Sequence, residues 1–313
     1  MKKHPKHLFI MCMVLSSLAW LFIPAGASES PLYYPIPGDR ETYMVFADGE
    51  LYMVTPSAKY DTQRDIYAYD ASSPLGFRPV LSDQLSEMDR PFFLKGAIYV
   101  LPYGERVMRL LQEENESQNP EEIEVLPKSA FPLSKSGDPW DEPLVDLLSV
   151  TRGNIIEYIV AQEPGEVRSL CRLDTASGVF KAYTVGPGLF GFSPVDEQSS
   201  VFYASDDKST ETHFYHIRLM NWQTGEITQR GELPFGAWCL AYDASSDSIL
   251  YILKGILYQY DSKGRHTVLL EGLPEQAIDQ RGFVTDDRLL LTYVMDGGIP
   301  YRLTVIKLPD KQS

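Results

Sequence analysis

LYQYDSKG, at residues 257–264, is one of four related phrases in this chain. The others are IYAYDASS (66–73), LCRLDTASG (170–178) and IRLMNWQTG (217–225). In each phrase apolar or aromatic residues alternate with other residues, and an Asp or Asn and small residues follow. Such alternation predicts a half-buried strand that runs into a tight turn. The chain therefore contains a repeated strand-and-turn unit.

The surroundings of LYQYDSKG indicate how long the unit is. It stands in the series GAWCLAYDASSD, SILYILKG, ILYQYDSKG and RHTVLLEGLP, in which each piece is one strand long and ends in turn residues. Helical periodicity is nearly absent from the chain. The turn residues Asp174, Asn221 and Asp261 recur at intervals of about 40 to 50 residues, the length of a four-stranded propeller blade. The sequence thus predicts an all-β chain that forms a single β-propeller, with blades stacked radially around an axis.

Six four-stranded blades can be placed along the chain, with five or seven as the alternatives. Their ranges are 42–83, 89–127, 144–185, 189–233, 236–273 and 277–308. The last range lacks a fourth strand, while the strand-like PLYYPIP (31–37) is left over near the N-terminus. We expect PLYYPIP to pair with the last blade and close the ring, which removes an exposed sheet edge. Residues 112–143 are acidic and Pro-rich, and we interpret them as an insertion within the propeller.

The first 27 residues have the layout of a secretory signal. Basic residues precede the apolar run 8–23, and Ala25-Gly26-Ala27 offers the small residues that signal peptidase recognises. We therefore expect residues 1–27 to be a signal peptide, residues 28–313 to be the propeller domain, and the protein to be secreted or associated with the cell envelope. The alternative is that the apolar run is retained as an anchor. It is shorter than the ~20 residues of a usual membrane span, so a stable span is not expected.

The net charge of the chain limits the kinds of partner that it can bind. The formal net charge is -15, and cleavage after Ala27 removes Lys2, Lys3 and Lys6 but no acid. Nucleic acid is excluded as a partner, because phosphate binding needs clustered Lys and Arg. Cationic peptides or wall polymers remain compatible with this charge.

Cys171 and Cys239 are flanked by apolar residues, which favours two buried free thiols over a disulfide, although an exported chain could form one.

No stretch of the chain carries a catalytic or metal-binding signature. HExxH, GxSxG and P-loop motifs are absent, so no catalytic residue, metal ligand or cofactor is predicted. A binding role is favoured over an enzymatic one. The first alternative is a carbohydrate-active hydrolase or lyase that uses carboxylates in the central channel, because the spatial pairing of the many acids cannot be read from sequence.

The recurring phrase itself is interpreted as scaffold. Its Asp or Asn can bond the backbone that follows it, and the Gly that follows supplies a positive φ. A ligand is then expected on the opposite face, formed by the loops between second and third strands and between blades. Those loops are SEMDRP, 128–143, VGPGLFG, LPFGAW, LPEQAID, AKYDTQRD, PYGER, DDKSTETH and MDGGIP. The candidate ligand-binding residues on them are Tyr60, Arg90, Trp140, Phe190, Phe235 and Trp238. The alternative for Phe190, Phe235 and Trp238 is that they pack between blades.

The blade spacing and the Y-D-x-x-x-G turn resemble the WD40-like and TolB-like propellers of bacterial secreted proteins. They also resemble the propeller segment at the N-terminus of some extracellular solute-binding proteins, so a truncated relative of such a protein is a second alternative. The chain has no series of WD dipeptides and no kelch double glycine, which leaves the subfamily open. The periodicity, the export signal and the missing catalytic signatures together predict a monomeric binding or scaffolding module whose partner is a peptide, a glycan or an envelope protein.

Overall fold

The computed structural model of the chain is built from β-strands. It describes residues 32–35, 42–60, 62–73, 76–111, 121–132, 143–162, 167–186, 188–204, 215–234, 236–275, 277–285, 287–295 and 301–308. Every regular element in these ranges is a strand, and none of the ranges contains a helix long and apolar enough to cross a membrane. The all-β class predicted from the sequence is confirmed.

The strands within the described ranges are short, and most of them turn directly into the next. In chain order they are β1 (Leu32–Pro35), β2 (Tyr43–Ala47), β3 (Glu50–Pro56), β4 (Gln63–Tyr69), β5 (Phe77–Ser86), β6 (Arg90–Leu94), β7 (Ala97–Leu101), β8 (Val107–Leu110), β9 (Glu122–Glu124), β10 (Leu144–Arg152), β11 (Ile155–Gln162), β12 (Val167–Asp174), β13 (Val179–Thr184), β14 (Leu189–Pro194), β15 (Ser199–Ala204), β16 (Tyr215–Asn221), β17 (Ile227–Leu233), β18 (Trp238–Asp243), β19 (Ser248–Leu253), β20 (Ile256–Asp261), β21 (His266–Leu270), β22 (Ala277–Thr285), β23 (Arg288–Met295) and β24 (Tyr301–Lys307).

Antiparallel hydrogen bonding collects these strands into groups of four. The first group is β2–β5, the second β6–β9, the third β10–β13, the fourth β14–β17 and the fifth β18–β21. The sixth group consists of β22, β23 and β24 with β1 on its outer edge. β1 pairs antiparallel with β24, with Leu32 opposite Val305 and Pro35 opposite Arg302. The groups follow the repeat units that were read from the sequence.

The apolar core lies between the groups. One cluster of buried side chains joins the second and third groups, and Phe92 and Tyr158 meet in it edge to face with centroids 6.0 Å apart. Similar clusters join the first group to the second, the third to the fourth, the fourth to the fifth and the fifth to the sixth. A further cluster joins the sixth group to the first, next to the stacked rings of Phe46 and Phe283 at 5.2 Å. A four-stranded sheet cannot bury both of its faces alone, so each group depends on two neighbours.

The first strands of the groups contact one another in chain order, from β2 through β6, β10, β14 and β18 to β22. In addition, β2 and β10 form a short parallel ladder in which Phe46 lies opposite Val150 and Ala47 opposite Thr151. The backbone of Asp48 extends the ladder by donating to the carbonyl of Thr151 at 2.9 Å. Consecutive first strands therefore lie next to one another, and β2 and β10 also pair near their C-terminal ends.

The recurring phrase forms a turn with the same side-chain bond each time, although the glycine follows the Asp or Asn at different distances along the chain. Asp70, Asp174, Asn221 and Asp261 each accept a hydrogen bond from the backbone N–H two residues later, at 2.8 to 3.0 Å. The glycine that completes the turn has a positive φ, for example 70° at Gly178. This confirms the prediction that the acid or amide bonds its own downstream backbone. The phrase belongs to the scaffold at the ends of the third strands.

Candidate functional site

The connections between strands lie at two ends of the groups. The turns after the first and third strands, which include the recurring phrase, lie at one end. The connections after the second strands and those between groups lie at the other, because successive antiparallel strands reverse direction. We call this second end the loop face. Its described residues are 57–60, 62, 87–89, 102–106, 125–132, 143, 185–186, 188, 234, 236–237, 254–255 and 271–275.

Two predicted aromatic residues are exposed at the loop face. Tyr60 follows β3 and is 45% exposed, and the ammonium group of Lys59 lies 4.7 Å from its ring centroid. Trp238 is the first residue of β18 and is 43% exposed. Nearly half of the Trp238 side chain is thus open to solvent, although it begins a first strand.

The other four predicted residues have different outcomes. Arg90 is the first residue of β6 and is partly buried. Phe190 is the second residue of β14, but only its backbone is among the described features. Trp140 and Phe235 lie outside the described residues. They remain predictions.

Tyr60 and Arg90 stand on adjoining loops. The N–H of Glu87 donates to the carbonyl of Thr62 at 3.0 Å, which ties the loop after β3 to the loop before β6. The start of β4 is also paired with the end of β5, where Gln63 lies opposite Ser86. The structure therefore brings these two predicted residues into one region, whereas Trp238 belongs to the fifth group.

Arg90 lines a cleft between the second and third groups. The cleft has a volume of about 280 Å³, which includes the open solvent at its mouth, and we call it the Arg90 cleft. It is lined by Met88, Arg90, Leu101, Pro102, Tyr103, Gly104, Glu105, Leu126, Pro143, Leu144 and Val145. Most of its lining residues are apolar, but its exposed surface is about as polar as apolar, and its charged groups are one guanidinium and one carboxylate. The space within it that a water molecule can occupy is only about 20 Å³, which is room for about one water molecule.

The guanidinium of Arg90 is held by the backbone. Its Nη1 donates to the carbonyl of Met88 at 3.0 Å and to the carbonyl of Asp89 at 3.3 Å. Its Nε is buried and has no hydrogen-bond partner among the described residues. Because two carbonyls fix one end of the group, the opposite Nε–Nη2 edge keeps a defined direction.

Tyr43, in the first group, is buried where the charges of Arg90, Arg64 and Asp89 act on its hydroxyl. Its side chain is 5% exposed, and its hydroxyl has no hydrogen-bond partner among the described residues. Burial raises the pKa of Tyr43 to about 12, while the positive charges of Arg90 and Arg64 oppose that rise. Tyr43 is therefore a neutral hydroxyl donor near two guanidinium groups.

Arg90 has two acidic neighbours, and its positive charge opposes the rise in the pKa of one of them, Asp89. The carboxylate of Asp89 accepts from the backbone N–H of Ser86 at 3.3 Å and also from the backbone of Tyr103. Burial raises the pKa of Asp89, and the charge of Glu105 adds to the rise. Glu105 itself forms an ion pair with Arg109 at 2.6 Å. Neither carboxylate forms an ion pair with Arg90 in the described part of the chain.

Sequence reasoning placed Arg90 at the site but missed Tyr43. A tyrosine at the start of a strand has the pattern of a core residue, and Tyr43 is indeed buried. The sequence gives no sign that its hydroxyl would lack a partner. Asp89 and Glu105 lie within loops that had been named, SEMDRP and PYGER, without being singled out.

Metal ligation finds no support in the described ranges. No three His, Cys, Asp or Glu side chains there come together in a way that could hold a metal ion. Of the two cysteines after residue 27, Cys171 is a free thiol that is fully buried, and burial raises its pKa. The side chain of Cys239 lies outside the described features.

Comparison with known proteins gives matches among solved structures. No protein-family model and no curated protein matches the chain. A luciferin-regenerating enzyme is 12% identical with a TM-score of 0.53, over 89% of this chain and 96% of its own. An oligogalacturonate lyase from Vibrio parahaemolyticus is 10% identical with a TM-score of 0.49, over 92% of this chain and 81% of its own. A chain of a mitotic checkpoint complex is 12% identical with a TM-score of 0.48, over 93% of this chain and 99% of its own.

At these identities a likeness bears on the fold alone, and of these three proteins the luciferin-regenerating enzyme has a TM-score above 0.5. That protein is propeller-like, and the likeness extends over most of both chains. Together with the four-stranded groups and the contacts among their first strands, it shows that this chain has a β-propeller fold.

Proposed function

We propose that the chain is an exported six-bladed propeller that binds a peptide or glycan on its loop face. The six blades would be the six groups, and β1 would close the ring by completing the sixth. The apolar clusters between successive groups support this arrangement, above all the cluster that joins the sixth group to the first. The pairing of β1 with β24 supports the closure.

The observation that carries the binding role is the exposure of Trp238. Most large apolar residues of the first strands are buried, as Val45 of β2 and Phe92 of β6 are. Trp238 is 43% exposed at the same end of the blades as Tyr60 and the Arg90 cleft. An exposed indole at the mouth of a propeller offers a flat surface on which a sugar ring or an apolar side chain can stack.

The proposed location outside the cytoplasm depends on residues 1–27, which have the composition of a signal peptide. Expression of the whole chain in a secreting bacterial host tests it. We expect the exported protein to begin at Ser28. A cell-associated protein that retains residues 1–27 would instead indicate an anchor.

The binding proposal is tested on glycan and peptide arrays with residues 28–313. The variants are Trp238→Ala and Trp140→Ala, and Val179→Ala is the matched control because Val179 is 51% exposed on an outer strand. We expect both Trp variants to lose signal on the ligands that the parent binds, and the control to keep it. If both Trp variants bind like the parent, the loop face is not the binding site.

A second candidate is a carbohydrate-active hydrolase or lyase, and one observation favours it. Asp89 and Glu105 lie close enough at the Arg90 cleft for the charge of Glu105 to raise the pKa of Asp89. A pair of carboxylates is the usual machinery of glycoside hydrolysis. Turnover of a polysaccharide panel that is lost in Asp89→Asn would support this function. The ion pair of Glu105 with Arg109 makes binding the better supported role.

A further inference from the structure

We propose that the open edge of β13 binds an extended peptide with an uncharged, β-branched core and basic flanks, which adds to the third group as a fifth strand. The site is the outer edge of a sheet and not the loop face. The inference therefore goes beyond the proposed function and does not depend on it.

The first argument is the direction of the backbone groups of β13. This strand pairs with β12 on one side, and no strand in the described ranges pairs with its other side. The N–H of Val185, just after β13, donates to the carbonyl of Arg168 at 3.0 Å. Successive residues of a strand point their N–H and C=O groups to opposite sides, so alternate residues counted back from Val185 bond to β12. Phe180, Ala182 and Thr184 consequently present their backbone groups to the open edge.

The second argument is that the other outer strands have features that discourage the addition of a strand. β5 contains Pro79 and β1 ends in Pro35, and proline offers no N–H. β9 is three residues long, and two of them are glutamates. The pairing of β17 and that of β21 are each interrupted by a shift of register. β13 pairs with β12 over six residues without a shift and contains no proline, so among the described outer strands it is the unprotected one.

The third argument is the position of Lys181, the charged residue of β13. A lysine on an edge strand usually keeps other strands away by its charge. Here the ammonium group of Lys181 donates to the carbonyl of Trp222, so it is directed towards the fourth group. Phe180 and Tyr183 provide aromatic neighbours on the strand, and aromatic residues pair favourably with β-branched residues across a ladder.

A peptide fits this edge better than a second copy of the chain. Two copies joined through β13 would share a ladder of six residues each, whereas a stable interface uses roughly 20–30 residues a side. They would also bring together two chains that each have a net charge of -15. A peptide can follow the edge as an added strand, and basic residues beyond its core are attracted by the negative charge of the chain. An uncharged core avoids repulsion by Lys181.

The test uses residues 28–313 and a fluorescent peptide with a core of alternating Thr and Val and with Lys at both ends. A second peptide has the same side chains, but every backbone N–H of its core is methylated, so it cannot donate to a ladder. Binding is measured by fluorescence polarisation. We expect the methylated peptide to bind at least about tenfold more weakly, because it loses several backbone hydrogen bonds.

Variants assign the binding to β13. Ala182→Pro removes an N–H that faces the open edge, at a position where no bond to β12 is lost, and it should abolish most of the binding. Val268→Pro is the matched control, because Val268 is 47% exposed on the outer strand β21 and alternation from Arg265 also turns its N–H outward. It should keep the binding. Thermal melting shows that each variant is folded. If Ala182→Pro is unstable, Ala182→Lys decides, since a charge at the edge should weaken binding severalfold.

Four outcomes would overturn the inference. Equal binding of both peptides would show that charge alone attracts them. Equal weakening by Ala182→Pro and Val268→Pro would place the peptide elsewhere. Self-association that Ala182→Pro removes, measured by sedimentation, would assign the edge to a second copy. Absence of binding would remove the inference but not the proposed function, which the arrays and Trp238→Ala test separately. Val179→Ala, the control for the loop face, leaves every backbone group of this edge in place.

Discussion

Phe46 of β2 and Val150 of β10 are direct partners in a parallel ladder, although the whole second group lies between them in the chain. Asp48, just after β2, reinforces the ladder, because its Oδ1 accepts from the N–H of Gly153 at 2.5 Å. The first and third groups are thus joined at the axis near the turn end. The loop end of the same axis is where the exposed Trp238 and the Arg90 cleft are found.

We expect Asp48→Ala to destabilise the fold by about 1–2 kcal/mol. The change removes the acceptor for Gly153 and places an alanine at a φ of 51°, a left-handed conformation that Asp and Asn tolerate better. Urea unfolding measures the loss. Asp48→Asn keeps an acceptor and should cost much less, and an equal loss in both variants would contradict the role given to this contact.

Alanine substitutions at Gly178 and Gly255 compare the cost of backbone strain alone with the cost of strain together with steric overlap. Their φ values are 72° and 70°, but a Cβ at Gly255 would lie 2.3 Å from the carbonyl oxygen of Leu273, whereas a Cβ at Gly178 meets nothing within 4 Å. Gly178→Ala should therefore cost about 1–2 kcal/mol, from the positive φ alone. Gly255→Ala should cost clearly more. Equal melting temperatures of the two variants would show that Leu273 moves aside freely.

Replacement of Trp222 and of Trp238 should have opposite effects on stability, one large and one small. Trp222 is 4% exposed, and its Nε1 donates to the Oγ of Ser200 at 2.8 Å. Trp222→Ala should lower the free energy of unfolding by about 3–5 kcal/mol, the usual cost of removing a buried aromatic side chain. Trp238→Ala should cost about 1 kcal/mol or less, because nearly half of its side chain is exposed. Chemical denaturation of the two variants checks this contrast.

The acidic turns should make stability depend on pH. The bond from Ser177 Oγ, followed by backbone N–H bonds, holds the pKa of Asp174 below its usual value. A lowered pKa in the folded state gives a stabilisation that is present above the unfolded value of about 3.9 and lost as the pH falls through the folded value. Asp174→Asn should thus show a smaller drop in urea midpoint between about pH 6 and pH 3. Asn221→Asp, at the equivalent turn, should steepen the drop, and unchanged profiles would contradict this origin.

Cys171 should be protected from alkylation in the folded protein. Its thiol is fully buried, and burial raises its pKa, so little reactive thiolate is present at neutral pH. Iodoacetamide followed by mass spectrometry should modify the Cys171 peptide only after denaturant is added. Modification of the native protein at the rate of a free thiol would show that this core opens readily.

Features that are local in sequence were predictable. The turn at Asp174 depends on one side chain and the few residues that follow it, so it could be predicted from that short stretch of sequence. Strand grouping could be predicted for a similar reason, because each antiparallel neighbour is the next segment of chain.

Other features depend on residues that only the folded chain brings together. The ladder between Phe46 and Val150 arises from how the groups pack at the axis, and no local pattern encodes it. At the candidate site, Arg90 was named because it lies in the loop SEMDRP, and its binding role stays a prediction. The burial of Tyr43 near charged groups of β4 and β6 could not be predicted, since it depends on how the first two groups pack.

The pairing of β1 with β24 has a consequence for biogenesis. Leu32 leaves the ribosome long before its partner Val305, so the sixth sheet stays incomplete until synthesis is almost finished. During that interval β1 has no partner strand, and it is open to β24 of another molecule. A chain that crosses a membrane unfolded would meet both segments in one compartment, where it could complete the sheet from its own two ends.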